Sequence, residues 1–415
     1  MWPDFEKGIA IPPGRNGIIK RPSRRKQFLI VLSLSLLGVF FTLQHWLRDQ
    51  QLTFLINHHP HHYEALPPLK FKKDGTFQLS IFSDLHFGEN AWEPWGPRQD
   101  IHSLRVINTV LDQEPTTDFV VLNGDLITGE NVYLENGTGY VDLIGKELDK
   151  RGVEWGSTYG NHDSDYNLSP TRIYEREKRF RGVGRGGWRL AQRGRWGRGG
   201  YKFQEGGEQN KKGRENWVHP KVVGWFKETR ERLRRENRGR GVPGLGFVHI
   251  PTTAFLEVQE RGVDGRRQPG IDKDRPVNRQ GEGWCADGGN GEGCEYGGQD
   301  GEFMEVVMEE GLLGLFVGHD HGDTWCSDYE KEGKRMYLCF GQHTGYGGYG
   351  DWIRGSRQVA VSIEGLRQRE MDTWVRLESG KAVGRVRLNE SYGRDEYEAV
   401  EDERTHLPVD DESKE

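Results

Sequence analysis

Residues 77–86 read FQLSIFSDLH, a largely apolar run that stops abruptly at an aspartate and a histidine. A strand buried on both faces reads this way, because neither face meets water. The plan returns four times, in DFVVLNGDL (118–126), VEWGSTYGNHD (153–163), LGFVHIP (245–251) and LLGLFVGHDH (312–321). Each run ends in a polar turn carrying Asp or His. Helical spacing separates them, in the stripes Ile101/Leu104/Ile107/Leu111, Val141/Ile144/Leu148 and Val222/Phe226/Leu233. Strand and helix in alternation predict an α/β sandwich with its chemistry at strand ends. Beyond residue 334, KRMYLCFGQ, RQVAVSIEG, DTWVRLES and GRVRLN predict antiparallel strands completing a second sheet.

The rest of the 415 residues frames this unit. A hydrophobic fraction of 34% and 58 glycines mean that part of the chain builds no core. A net charge of -6 and a pI near 6.2 argue against nucleic acid as a partner. Near the start, FLIVLSLSLLGVFFTL (28–43) follows Arg21, Arg24, Arg25 and Lys26, and Trp46 and Leu47 extend it to a membrane-spanning length. With no alanine between Ala10 and Ala65, an Ala-x-Ala cleavage site is missing. The expected layout is therefore a basic cytoplasmic leader at 1–27 and a signal anchor at 28–47. A His- and Pro-containing linker fills 48–75, one large domain 76–395, and a charged tail 396–415. The basic flank places the large domain on the lumenal or extracellular side, with secreted or intracellular location as alternatives.

Arg181–Gly200 holds six arginines, eight glycines and no acid, and defines an insertion at 181–212. Cys285/Cys294 and Cys326/Cys339 each bracket a short loop that a disulfide could close in an oxidising compartment, and Asn136, Asn167 and Asn389 begin glycosylation sequons.

The strand-end turns offer Asp84 and His86, then Asp125, then Asn161, His162 and Asp163, then His249, then His319 and His321. In an α/β sheet such ends converge on one crevice. Burying that many carboxylates and imidazoles is costly unless something compensates, and a divalent cation does, since these groups are first-row metal ligands.

In their order, Asp84-x-His86, Gly124-Asp125, Gly160-Asn161-His162-Asp163, His249 and Gly318-His319-Asp320-His321 resemble the motifs of calcineurin-like metallophosphoesterases. FSDLHFGE, LNGDLITGEN, YGNHDSDY, FVHIPT, GWCADG and GHDHGDTWC are similar, more narrowly, to fungal cell-cycle-regulator-type phosphatases and plant purple-acid-phosphatase-like proteins. The similarity covers roughly 77–175 and 217–395.

It implies a four-layer αββα sandwich with a C-terminal antiparallel β part, and a dinuclear site of Mn, Fe or Zn. Asp84, His86 and His321 would hold one ion, Asn161, His249 and His319 the other, with Asp125 bridging. The implied activity is phosphomonoester hydrolysis, on phosphoproteins or small phosphate esters, by a metal-bridging hydroxide. His162 would serve as acid or stabiliser, oriented by Asp163. A phosphodiesterase or nuclease of the same fold, and an inactive metal-binding relative, are the alternatives. Two departures stand out. Purple acid phosphatases carry a tyrosinate where this chain has Thr128 and a glycine where it has His86, so no charge-transfer colour is expected. Between Asp165 and Gly244 no apolar run exceeds two residues.

Overall fold

The computed structural model describes residues 69–133, 135–164, 168–180, 182–183, 216–283 and 296–405, all within the compact unit Ala65–Glu415. The expected leader at 1–27, the anchor at 28–47, most of the linker, Asn167, Cys285 and Cys294, and most of the insertion lie outside these residues. Among the described residues no helix is long and apolar enough to cross a membrane.

The five apolar runs form β1 (Thr76–Phe82), β2 (Phe119–Asn123), β3 (Glu154–Thr158), β4 (Leu245–Phe247) and β5 (Gly314–Val317). After them come β6 (Cys326–Lys331), β7 (Lys334–Phe340), β8 (Gly355–Ser362), β9 (Met371–Leu377) and β10 (Ala382–Leu388). The helices are α1 (Gly96–Gln113), α2 (Val141–Arg151), α3 (Pro170–Glu177), α4 (Pro220–Glu236), α5 (Thr253–Arg261), α6 (Gly301–Glu309) and α7 (Ile363–Gln368).

One sheet runs β10-β9-β8-β1-β2-β3 and the other β4-β5-β7-β6. Within them β1, β2 and β3 are parallel, as are β4, β5 and β7. This corrects the expectation that every strand after 334 completes the second sheet. Only β7 does so. β8 lies antiparallel against β1, pairing Leu79 with Val359, and carries β9 and β10 onto the first sheet. A strand's own apolar pattern shows that it is covered but does not name its neighbour.

Alternation along the strands separates three cores. Phe82, Val120 and Leu122 face Val106, Ile107, Ile144 and Ile173 of α1–α3. Leu79, Ile81, Phe119 and Val121 meet Leu313, Phe316, Tyr337 and Cys339 between the sheets. Leu315, Val317, Leu338 and Phe340 meet Val223, Phe255 and Val306 of α4–α6. The result is helices, sheet, sheet, helices. Arg357 of β8 crosses the middle layer: its buried guanidinium donates to Phe340 O (2.5 Å), Thr324 O and, at 3.0 Å, Thr373 Oγ1.

Most of the predicted helical stripes face the core: Val141, Ile144 and Leu148 of α2 and Ile107 and Leu111 of α1 are buried, and Leu104, Val222 and Phe226 pack against their cores, whereas Ile101 is 52% exposed. α4 buries Val223 and Arg230 most deeply. The Arg230 guanidinium donates to Glu310 O at 2.6 Å, an anchor that apolar spacing does not reveal. Gly182 and Val183, inside the predicted insertion, extend the edge of β3, where the Trp155 amide donates to Gly182 O. Part of the predicted tail also packs: the Ile353 amide donates to Glu403 O and the Thr405 amide to Asp351 O. Cys326 and Cys339 form a disulfide across the β6–β7 hairpin.

Candidate metal centre

β1 and β2 run side by side, and both leave the sheet through the same phrase, Asp-Leu-x-x-Gly-Glu, at 84–89 and 125–130. Backbone bonds knit the two phrases together. The amides of Leu85 and His86 both donate to Asp125 O at 2.9 Å, and that of Thr128 donates to Phe87 O at 3.0 Å. These turns hold Asp84, His86 and Asp125 at φ of 56°, 47° and 49°, and His319 sits at 76° across the crevice. Side chains other than glycine are uncommon in that left-handed region, and only enforcing surroundings keep them there. Two glycines permit the close approach. A Cβ on Gly124 would fall 2.4 Å from His249 Nδ1, and one on Gly160 would fall 2.0 Å from Asp125 Oδ1.

Two ligand clusters result. The ligating atoms of Asp84, His86 and His321 lie within 4.8 Å of one another, and so do those of Asp125, His249 and His319. The clusters adjoin. Asp125 Oδ2 is 2.8 Å from His249 Nε2 and 3.8 Å from His86 Nε2, so the expected bridging residue reaches both. Its Oδ1 accepts the His162 amide at 3.0 Å, and Asn161 stands in that same turn between Gly160 and His162.

The hydrogen-bond network fixes the tautomers. His249 Nδ1 faces Asn123 O at 3.0 Å and His321 Nδ1 faces Tyr349 O at 2.7 Å, and a carbonyl only accepts. His86 Nδ1 faces Thr128 Oγ1 at 3.0 Å, whose own hydrogen goes to Glu89 Oε2 at 2.7 Å. All three histidines therefore carry hydrogen on Nδ1 and turn Nε2 inward as the atom available to a cation. The Nε2 atoms of His86 and His321 are only 3.3 Å apart. Facing lone pairs beside two buried carboxylates repel unless a cation stands among them, so the donor set fits a dinuclear centre of borderline metals.

Charge in the site follows from the same neighbours. Burial opposes ionisation of Asp125, yet His249, His162 and His86 hold its carboxyl well below the usual range. Burial alone would depress His249, but the Asp125 and Asp84 carboxylates lift it to about 9, so without a cation a proton on Nε2 takes the place that a cation would hold. Burial and His249 push His319 down to about 3.

The His162 ring lies 5.0 Å from that of His86, and its partner is not the expected Asp163. Its Nδ1 meets Glu130 Oε1 at 2.5 Å. Asp163, expected to orient it, turns away into the protein, because consecutive residues of the 3-10 turn His162–Ser164 point to different sides. Its carboxylate instead accepts the amides of Leu126, Ile127 and Gly160 at 2.8 to 3.0 Å. Asp163 is therefore a brace for the ligand loops, and Glu130 takes the orienting place. The repeated Asp-Leu-x-x-Gly-Glu phrase was the available signal for Glu130 and Glu89. Two further groups carry no local signal. The Tyr349 ring stacks on His321 at 4.1 Å, and the buried His343 ring lies 3.8 Å from His321, with its Nδ1 facing an Arg354 guanidinium nitrogen at 2.8 Å.

The calcineurin-like phosphoesterase profile matches residues 77–323, more than half of the chain and spanning every candidate ligand. This chain belongs to the calcineurin-like phosphoesterase family. Within this family it is similar to "Probable inactive purple acid phosphatase 28" of Arabidopsis thaliana, 22% identical over 75% of this chain and 83% of that protein. "Probable inactive purple acid phosphatase 29" of the same plant is 29% identical, over 39% of each chain. Among solved structures, a dimetal phosphatase from Danio rerio aligns over 78% of this chain and 99% of its own, at 13% identity and a TM-score of 0.42.

Proposed function

We propose that this phosphoesterase is a dimetal phosphomonoester hydrolase. The observation that carries the reading is the inward convergence on Asp84 and Asp125 of three Nε2 atoms, each on a ring whose Nδ1 carries the hydrogen. Asp84, His86 and His321 would hold one ion, His249, His319 and Asn161 the other, and Asp125 would reach both. Two such cations supply Lewis-acid polarisation of a phosphoryl oxygen and a hydroxide nucleophile near neutral pH.

The chain's own residues do the rest. Glu130 fixes the hydrogen of His162 on Nδ1 and leaves Nε2 as the reacting nitrogen, so a protonated His162 donates from Nε2 to the departing ester oxygen. Asp163 keeps Gly160 and the 125–127 turn in register, which keeps His162 over Asp125. Asn161, beside His162, offers its amide NH2 to the phosphate. The substrate class is a phosphate monoester, free or on a protein.

Turnover of p-nitrophenyl phosphate against bis(p-nitrophenyl) phosphate, with metal content measured on the same sample, tests this. Monoester turnover with about two metals per chain supports it. Preference for the diester favours the diesterase alternative, and metal without turnover favours an inactive relative.

We also propose that residues 28–47 anchor the domain on the lumenal or extracellular face. The basic flank, the length of the apolar run and the Cys326–Cys339 disulfide support this. Release by sodium carbonate, or no mobility shift on glycosidase treatment, would count against it.

A further inference from the structure

We propose that Glu89, acting through Thr128, is a positioning residue for the metal ligand His86. The inference rests on the dimetal reading above. The three groups form one line: His86 Nδ1 to Thr128 Oγ1 at 3.0 Å, and Thr128 Oγ1 to Glu89 Oε2 at 2.7 Å. His86 and Thr128 are both 2% exposed, so no water competes for the bond between them. A hydroxyl has one hydrogen. A carboxylate only accepts, so Glu89 draws that hydrogen, leaves the Thr128 oxygen as an acceptor, and thereby keeps the hydrogen of His86 on Nδ1. Without the carboxylate, Thr128 could turn its hydrogen towards His86 Nδ1, which would move the ring hydrogen to Nε2 and block the ligating atom.

Glu89 is itself held. Its Oε1 accepts from Asn131 Nδ2 at 2.7 Å, and Asn131 is the residue after Glu130, the partner of His162. One carboxylate thus joins the turn under the metal ligand to the turn that orients the acid.

The test is titration of metal-free full-length protein with Zn2+ alone, followed calorimetrically, for wild type, Glu89→Gln, Thr128→Val and Thr128→Ser. Partners of this kind typically change metal affinity about 10–100-fold. Glu89→Gln and Thr128→Val should weaken one of the two binding events by that factor and leave the other near its wild-type value. Thr128→Ser, which keeps the hydroxyl, should restore it, an outcome that a merely structural role for the side chain would not give. Circular dichroism melts on the same samples verify folding, and the serine variant keeps the test decisive if the valine variant does not fold. Wild-type affinity at both events in Glu89→Gln and Thr128→Val overturns this inference alone. A wild-type protein that takes up no Zn2+ overturns the dimetal reading as well.

Discussion

At the scale of single residues, the site separates what a side chain is from where its neighbours point it. His162 is expected to act on the leaving group, so His162→Ala should lower kcat about 10²–10⁴-fold with metal content unchanged. Glu130→Gln keeps the shape but removes the charge that supports protonated His162, and should lower kcat less. Both losses should shrink on p-nitrophenyl phosphate relative to an alkyl phosphate, since a good leaving group needs little protonation. Loss of metal on either substitution would make these residues structural instead. The candidate ligands are legible in the sequence because each ends an apolar run, and the chemistry of Asp, Asn and His at that spot has few other uses. The orienting partner is not legible in the sequence, because adjacency along the chain is not adjacency in space. Asp163 follows His162 directly, yet its carboxylate caps amides on the far side of the turn.

At the scale of elements, burial decides which groups the fold tolerates. Asp100 of α1 accepts the Gly88 amide at 2.9 Å, and burial pushes its carboxyl up to about 7. A carboxyl whose folded value lies above its unfolded one adds stability below about pH 4, lost as pH rises towards 7. Thermal melts of Asp100→Asn should therefore show a flatter decline than wild type between pH 4 and 7, and a higher Tm at pH 7.5. An identical pH profile would mean that Asp100 is ionised throughout. Arg357 makes the opposite case, a buried cation whose three recorded hydrogen bonds all go to neutral acceptors. Arg357→Met would leave those acceptors unpaired at a cost on the order of 2–4 kcal/mol, and Arg357→Lys, lacking the fork, should recover only part of it. Chemical denaturation reads both. Strand and helix identity, and most of each helix's buried face, were legible from apolar period, whereas sheet membership of β8–β10 and the polar anchoring of α4 were not. Those depend on partners far along the chain and on polar anchors such as Arg230.

At the scale of the whole molecule, the candidate centre draws on both sheets. Asp84, His86 and Asp125 follow strands of one sheet, while His249, His319 and His321 follow strands of the other. Each cluster thus contains residues from both, and cations bound there would tie the two layers together. Removing metal with EDTA should lower Tm, and restoring it to 100 times Kd should return about 2.7 kcal/mol for each site filled. An unchanged Tm with metal demonstrably removed would show that the sheets are held without it.

The left-handed backbone at Asp84, His86, Asp125 and His319 has a consequence for descent. Glycine would sit at each of these positions with less strain, by roughly 1–3 kcal/mol. A lineage with no use for the centre could gain stability by mutating there, so selection for stability alone erodes such a site rather than preserving it. Aspartate and histidine at all four places are what continuing selection for function would leave behind. The same reasoning gives a practical rule for knock-outs: Asp125→Gly should yield a more stable inactive protein than Asp125→Ala.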